Sequence, residues 1–125
     1  MSLIAVWVDQ KHANVFKFTS AGVQKEEFNE KFLSSHIQAN DHLAKLKQEE
    51  QVFKKLLPQL NDAEEILILG PGVTKTHFKK YLENHSGNFG SKIVGCETTD
   101  HPTEPQLLSL ASKFFSSEHL KHNLS

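Results

Sequence analysis

There is no arginine in this chain. All 14 of its Lys+Arg residues are lysine, so a bidentate guanidinium fork, an arginine finger and an arginine–guanine contact are all excluded. Any anion it holds must be met by ammonium groups, histidines, hydroxyls or backbone N–H groups. The one cysteine, Cys96, cannot form an internal disulfide. A lone thiol inside an apolar run suits a reducing, cytoplasmic setting. No apolar run approaches the ~20 residues that span a bilayer, so no membrane partner is expected. The stretch 1–8 is apolar but short, lacks a basic leader and meets Asp9 at once, so it does not read as a signal peptide. Neither charge is in excess. A formal net charge of −1 argues against strong non-specific binding to nucleic-acid phosphate. No repeat, low-complexity tract or Gly/Ser/Pro-rich linker divides the sequence.

What is there suffices for one domain. With 125 residues the chain can bury a core without metals or disulfides as staples. Residues 1–116 read as that domain and 117–125 as a polar tail. Leu3 to Val8 is almost continuously apolar, as expected of a central strand buried on both faces. After a turn at Asp9–His12, Ala13 to Phe18 alternates. After a second turn at Thr19–Gly22, Val23 to Phe28 is a more polar strand suited to a sheet edge. The chain thus opens as a three-strand antiparallel meander. Asn29 to Asn40 has no period and reads as a loop.

Asp41 to Leu60 has helical spacing, with Leu43, Leu46, Glu50, Phe53, Leu57 and Leu60 on one stripe. Asn40 or Asp41 can cap it, and Pro58 marks its last turn or a break. Glu65 to Gly70 is a second buried strand, Lys75 to Asn84 a short helix with Phe78, Tyr81 and Leu82 inward, and Lys92 to Thr98 the last strand. Thr103 with Gln106 three residues on forms a capping box for a final helix. Its apolar stripe is Leu107, Leu108, Leu110, Ala111, Phe114 and Phe115. The order βββ-α-β-α-β-α calls for a mixed five-stranded sheet covered by helices, an α/β domain whose later strands are parallel with right-handed crossovers.

Three groups of residues invite chemistry. A strand running into Gly70-Pro71-Gly72 and a helix can present free N–H groups to an anion, helped by Thr74, Thr76, Lys75 and Lys79. The simpler reading is a short strand-to-helix turn, since neither phosphate-loop nor dinucleotide spacing is present. Asp100 and His101 follow the last strand, beside Glu97, at the end of the sheet where α/β folds place ligands. With Asp9 they could carry acid/base or metal-assisted hydrolysis. The plainer reading is a turn before Pro102. His36, Asp41 and His42 lack the spacing of a zinc motif, and no metal or other cofactor is called for. Trp7 and Cys96 read as core.

The stretch from Leu69 through Gly70-Pro71-Gly72-Val73-Thr74-Lys75-Thr76-His77-Phe78 to Leu82 resembles the matching part of the middle domain of Pelota, the ribosome-rescue paralogue of the archaeal and eukaryotic peptide-chain release factor. Local similarity runs over residues 65–98, and the element order extends it to most of the chain. The region Asp100-His101-Pro102-Thr103 also resembles bacterial stand-alone relatives described as translational machinery proteins. The resemblance implies a ribonuclease H-like, release-factor middle-domain fold. It does not imply peptide release. The release factor's Gly-Gly-Gln loop would fall at residues 29–40, which contain no glycine, and only glycine lets a backbone approach an ester that closely. The family's flanking domains are not expected here either.

The resemblance implies a non-catalytic, translation-associated module that contacts the ribosome or tRNA. Its contacts would be Lys45, Lys47, Lys54 and Lys55 on one helix, then Gly70, Gly72, Thr74, Lys75, Lys79 and Lys80 around the next. Two alternatives stand beside it. One is a small metal-dependent hydrolase or nuclease using Asp9, Glu97, Asp100 and His101. The other is a protein-interaction adaptor with an apolar patch around Phe28, Phe32 and Leu33.

Overall fold

The structure is a computed structural model that describes residues 2–29, 42–85 and 88–116. Strands β1 (Ser2–Val8), β2 (His12–Thr19) and β3 (Gly22–Asn29) form the antiparallel meander. Helix α1 (His42–Leu56) runs into a 3-10 turn (Leu57–Leu60) and strand β4 (Ala63–Gly70). Helix α2 (Thr74–Asn84), a 3-10 turn (Gly90–Lys92), strand β5 (Ile93–Thr98) and helix α3 (Glu104–Phe114) complete the order. The sheet runs β3-β2-β1-β4-β5, with β1, β4 and β5 mutually parallel. This is the mixed five-stranded α/β architecture expected from the sequence.

The strand positions follow from polarity. β1 and β4 are the most continuously apolar segments and take the centre, pairing in parallel from Leu3–Glu65 to Trp7–Leu69. β3, carrying Lys25, Glu26 and Glu27, takes an edge, where charge discourages further strand pairing. The turns are locally specified. The Asp9 carboxylate accepts from the backbone N–H of Lys11 (2.9 Å) and His12 (2.7 Å), closing β1 onto β2. Gly22 opens β3 at φ +121°, a backbone setting that side chains resist.

Alternation along the strands divides the core in two. On one face Ile4, Val6, Val15, Ile66 and Ile68 meet Val52, Phe53 and Leu56 of α1 and Phe78 and Leu82 of α2. On the other, Leu3, Trp7, Phe16, Phe18, Leu67 and Leu69 are covered by Leu107 and Ala111 of α3 and by Phe115. α3 starts at the expected capping box, Thr103 with Gln106. Pro58 lies in the 3-10 turn, where the α-helix has already ended.

Some expectations shift by a residue. Among the described side chains of α1, Glu49, Val52, Phe53 and Leu56 are buried while Glu50 is exposed, and those of Leu43 and Leu46 lie outside the described set. Val52 and Leu56 fix the helix's rotation, and the 3-10 turn after Leu56 breaks the period on which the longer stripe relied. Leu108 is 41% exposed and lies outside the α3 stripe. Cys96 is half-buried, because β5 is an edge strand. Asn29, expected to open the loop 29–40, ends β3 instead; the rest of that stretch, with Phe32, Leu33, His36 and the capping candidate Asn40, lies outside the described residues, as do Asp41 and the tail 117–125.

Candidate functional site

Parallel alignment of β1, β4 and β5 brings their C-terminal ends to one end of the sheet. Asp9, the Gly70-Pro71-Gly72 turn and the segment after Thr98 therefore share that end. Gly70 is required there. A Cβ on it would fall well inside contact with the Val8 carbonyl oxygen, so β4 ends hard against the backbone of β1. Around Gly72 there is open space.

At the start of α2 the structure builds a cluster that the sequence reading did not contain. Glu49 of α1 is buried, and its carboxylate accepts from the Thr74 hydroxyl at 2.7 Å and faces His77 Nδ1 at 2.8 Å. An ionised carboxylate only accepts, so the imidazole donates through Nδ1 and keeps Nε2 as its remaining polar atom. Thr74 is 3% exposed, whereas the His77 side chain is 39% exposed. One carboxylate thus ties α1 to the first turn of α2. The signal lay in the stripe Val52, Phe53 and Leu56, which places residue 49 inward one turn earlier.

That cluster bears on the anion reading of the turn. The Thr74 hydroxyl is committed to Glu49, and the Lys75 ammonium folds back to donate to the Gly72 carbonyl at 2.6 Å. The hydroxyl and the nearest cation of the expected cradle both have partners within the chain. Lys79 shares a face with Lys75 one turn on. Both lie near Cys96, whose thiol is pushed up by burial and pulled partly back by these two ammonium groups.

The second feature is a cleft of about 430 Å³ between the segment following β5 and α3. Thr99, Asp100, His101, Gln106 and Ser109 line it. The Thr99 N–H donates to the Gly70 carbonyl (2.9 Å), and the Trp7 indole N–H donates to the Thr99 carbonyl (3.3 Å). The His101 ring stacks on Trp7 with centroids 4.1 Å apart and planes 27° from parallel. Trp7 is core, as its sequence context suggested, and is 2% exposed, while His101 is exposed.

Of the four residues of the hydrolase alternative, the structure brings Asp100 and His101 together in this cleft. Asp9 is engaged in its turn and lies 3.4 Å from His12 Nδ1. Glu97 faces Lys113 of α3 at 3.9 Å. Among the described residues no three His, Cys, Asp or Glu side chains lie together as a metal site would need.

The lysines fall into two sets on the α1–α2 layer. Lys47 and Lys54 are exposed and two turns apart, so they share a side of α1, with exposed Glu50 between them. Lys55 is exposed beside them, and the Lys45 side chain is outside the described residues. On α2, Lys80 is exposed and Lys75 and Lys79 are half-buried.

No family model matches the sequence, and no curated protein matches it. Solved structures do match in fold. The Pelota protein of Thermoplasma acidophilum superposes with a TM-score of 0.61 at 18% identity, over 97% of this chain and 34% of that one. The Archaeoglobus fulgidus Pelota gives 0.60 at 14% identity, over 90% of this chain and 31% of that one. An archaeal translation termination factor gives 0.59 at 12% identity, over 94% and 36%. The chain thus spans about a third of the length of each structure it matches. At these identities the likeness is one of fold, the fold that the resemblance implied.

Proposed function

We propose that this chain is a non-catalytic, translation-associated binding module that contacts the ribosome or tRNA in the cytoplasm. The observation that carries this reading is the superposition of nearly the whole chain on one part of the Pelota and termination-factor structures. The contacts are assigned to Lys47, Lys54 and Lys55 of α1 and Lys79 and Lys80 of α2, with Lys45 and residues 29–40 adjoining in sequence. Gly70, Gly72, Thr74 and Lys75 act by shaping the turn and anchoring α2. Glu49 supports that part, because it takes the Thr74 hydroxyl. Peptide release is no part of the proposal, since residues 29–40 contain no Gly-Gly-Gln. Lysine contacts without a guanidinium fork give point-charge attraction that salt weakens.

The test is co-sedimentation with ribosomes at low and high salt. Co-migration at low salt, lost at high salt and reduced for Lys47→Glu/Lys54→Glu, is the expected result. No co-migration at low salt, or co-migration indifferent to salt and to the two substitutions, refutes the reading.

A further inference from the structure

We propose that the Trp7–His101 cleft is a stacking site for one unpaired nucleobase of an RNA strand, with preference for adenine or cytosine over uracil. The proposal rests on the reading that the chain contacts RNA and names a different surface from the lysines.

The platform is made rigid from behind. Trp7 is 2% exposed, so its indole cannot turn out of the core. Its N–H is held by the Thr99 carbonyl at 3.3 Å. The exposed His101 ring lies against this fixed plane at 4.1 Å, one face backed by the indole and the ring lining the cleft. A flat, pre-set ring is what an unstacked base needs, since each base has a π-face and a rigid partner spares the cost of ordering. At about 430 Å³ the cleft lies within the ordinary range for small-ligand sites.

The polar groups of the cleft supply an edge code. Gln106 uses its Oε1 to accept from the Thr103 N–H at 2.9 Å, which leaves its amide NH₂ as a donor. Ser109 offers a hydroxyl, and the Asp100 carboxylate only accepts. A carboxylate acceptor and an amide donor lining the same cleft match the exocyclic amine and ring nitrogen of adenine and cytosine. It sets the O4 oxygen of uracil against a negative charge.

The experiment titrates the full chain with the RNA pentanucleotides A5, C5 and U5 and with free adenosine. It reads both affinity and the NMR shift of the His101 ring protons, which a base stacked on the ring moves upfield. The expected order is A5 and C5 above U5, with adenosine weakest. His101→Ala should weaken A5 binding by roughly 5- to 150-fold, and His101→Phe should restore it, because Phe keeps the ring. Asp100→Asn should remove the discrimination against U5. Unmoved His101 protons, unchanged A5 affinity in His101→Ala, or equal affinity for A5 and U5 overturns the proposal. Adenosine binding as tightly as A5 overturns the strand as the source of the base. The two readings fail separately. A chain that never sediments with ribosomes yet binds A5 through His101 loses only the first. One that sediments through its lysines with A5 affinity unchanged in His101→Ala loses only the second.

Discussion

Replacing Glu49 by alanine tests the α1–α2 tie directly. The substitution leaves the Thr74 hydroxyl, in a residue 3% exposed, without its acceptor at 2.7 Å. An unsatisfied buried hydroxyl costs about 1–3 kcal/mol. The His77 contact contributes less. Its side chain is 39% exposed, so water replaces the carboxylate and the loss there falls to about 0.5 kcal/mol. The expected total is about 1.5–3.5 kcal/mol, which for a domain of this size lowers Tm by about 6–14 °C. Glu49→Gln keeps the shape and one accepting oxygen and should cost about 1 kcal/mol. Urea denaturation of Glu49→Ala, Thr74→Val and the double variant reads the coupling between the two groups. Because Thr74→Val removes the donor, the double variant should be less destabilised than the sum of the singles by about 1 kcal/mol. A Glu49→Ala loss under about 0.5 kcal/mol, or full additivity, would show that the carboxylate is not the tie described.

Two further outcomes are expected. Gly70→Ala should lower stability by about 1–3 kcal/mol, since the added carbon meets the backbone of the central strand, while Gly72→Ala, in open space, should be near neutral; equal urea midpoints for the two would refute the close approach. Burial raises the Cys96 thiol above 9.0, and burial, reinforced by Glu50, raises the Tyr81 hydroxyl above 10.0. In both cases the unfolded chain loses its proton first, so stability holds below about pH 9 and falls above it. Cys96→Ala should flatten the first part of that fall in denaturation curves taken from pH 8 to 10. An unchanged curve refutes the assignment.

Hydrophobic runs made most of the fold legible. Leu3–Val8 and Glu65–Gly70 announce central strands because both faces are covered, and the charges of β3 announce an edge. The capping box at Thr103 was equally plain, since a cap is a local arrangement of two side chains. The site was less legible. Glu49, Thr74 and His77 are 25 and 28 residues apart across their contacts, and no periodic signal spans two helices. Glu49 was hidden further by Glu50, its identical neighbour on the chain. Trp7 and His101 meet across more than 90 residues, so each could be judged only by its own segment, one as core and the other as a surface turn. Cys96 was read as buried because its run is apolar. What runs cannot tell is which strand ends up at the margin of the sheet.

Among the described residues α3 with Phe115 covers one face of the sheet, and its docking has a thermodynamic signature. α3 is fastened at its far end by Phe115 against Phe18 and by the Ser116 N–H on Glu65 at 2.8 Å. At its near end the connection runs through Thr99, whose carbonyl holds the Trp7 indole. Separating α3 from the sheet therefore removes one wall of the cleft, strains the His101 stack and wets Leu67, Leu69 and Phe16 in a single event. In the language of hydrogen exchange, helix and cleft belong to one opening unit. A ligand seated on His101 would slow exchange along the amides of α3 as well as its own, and would do so without touching most of them.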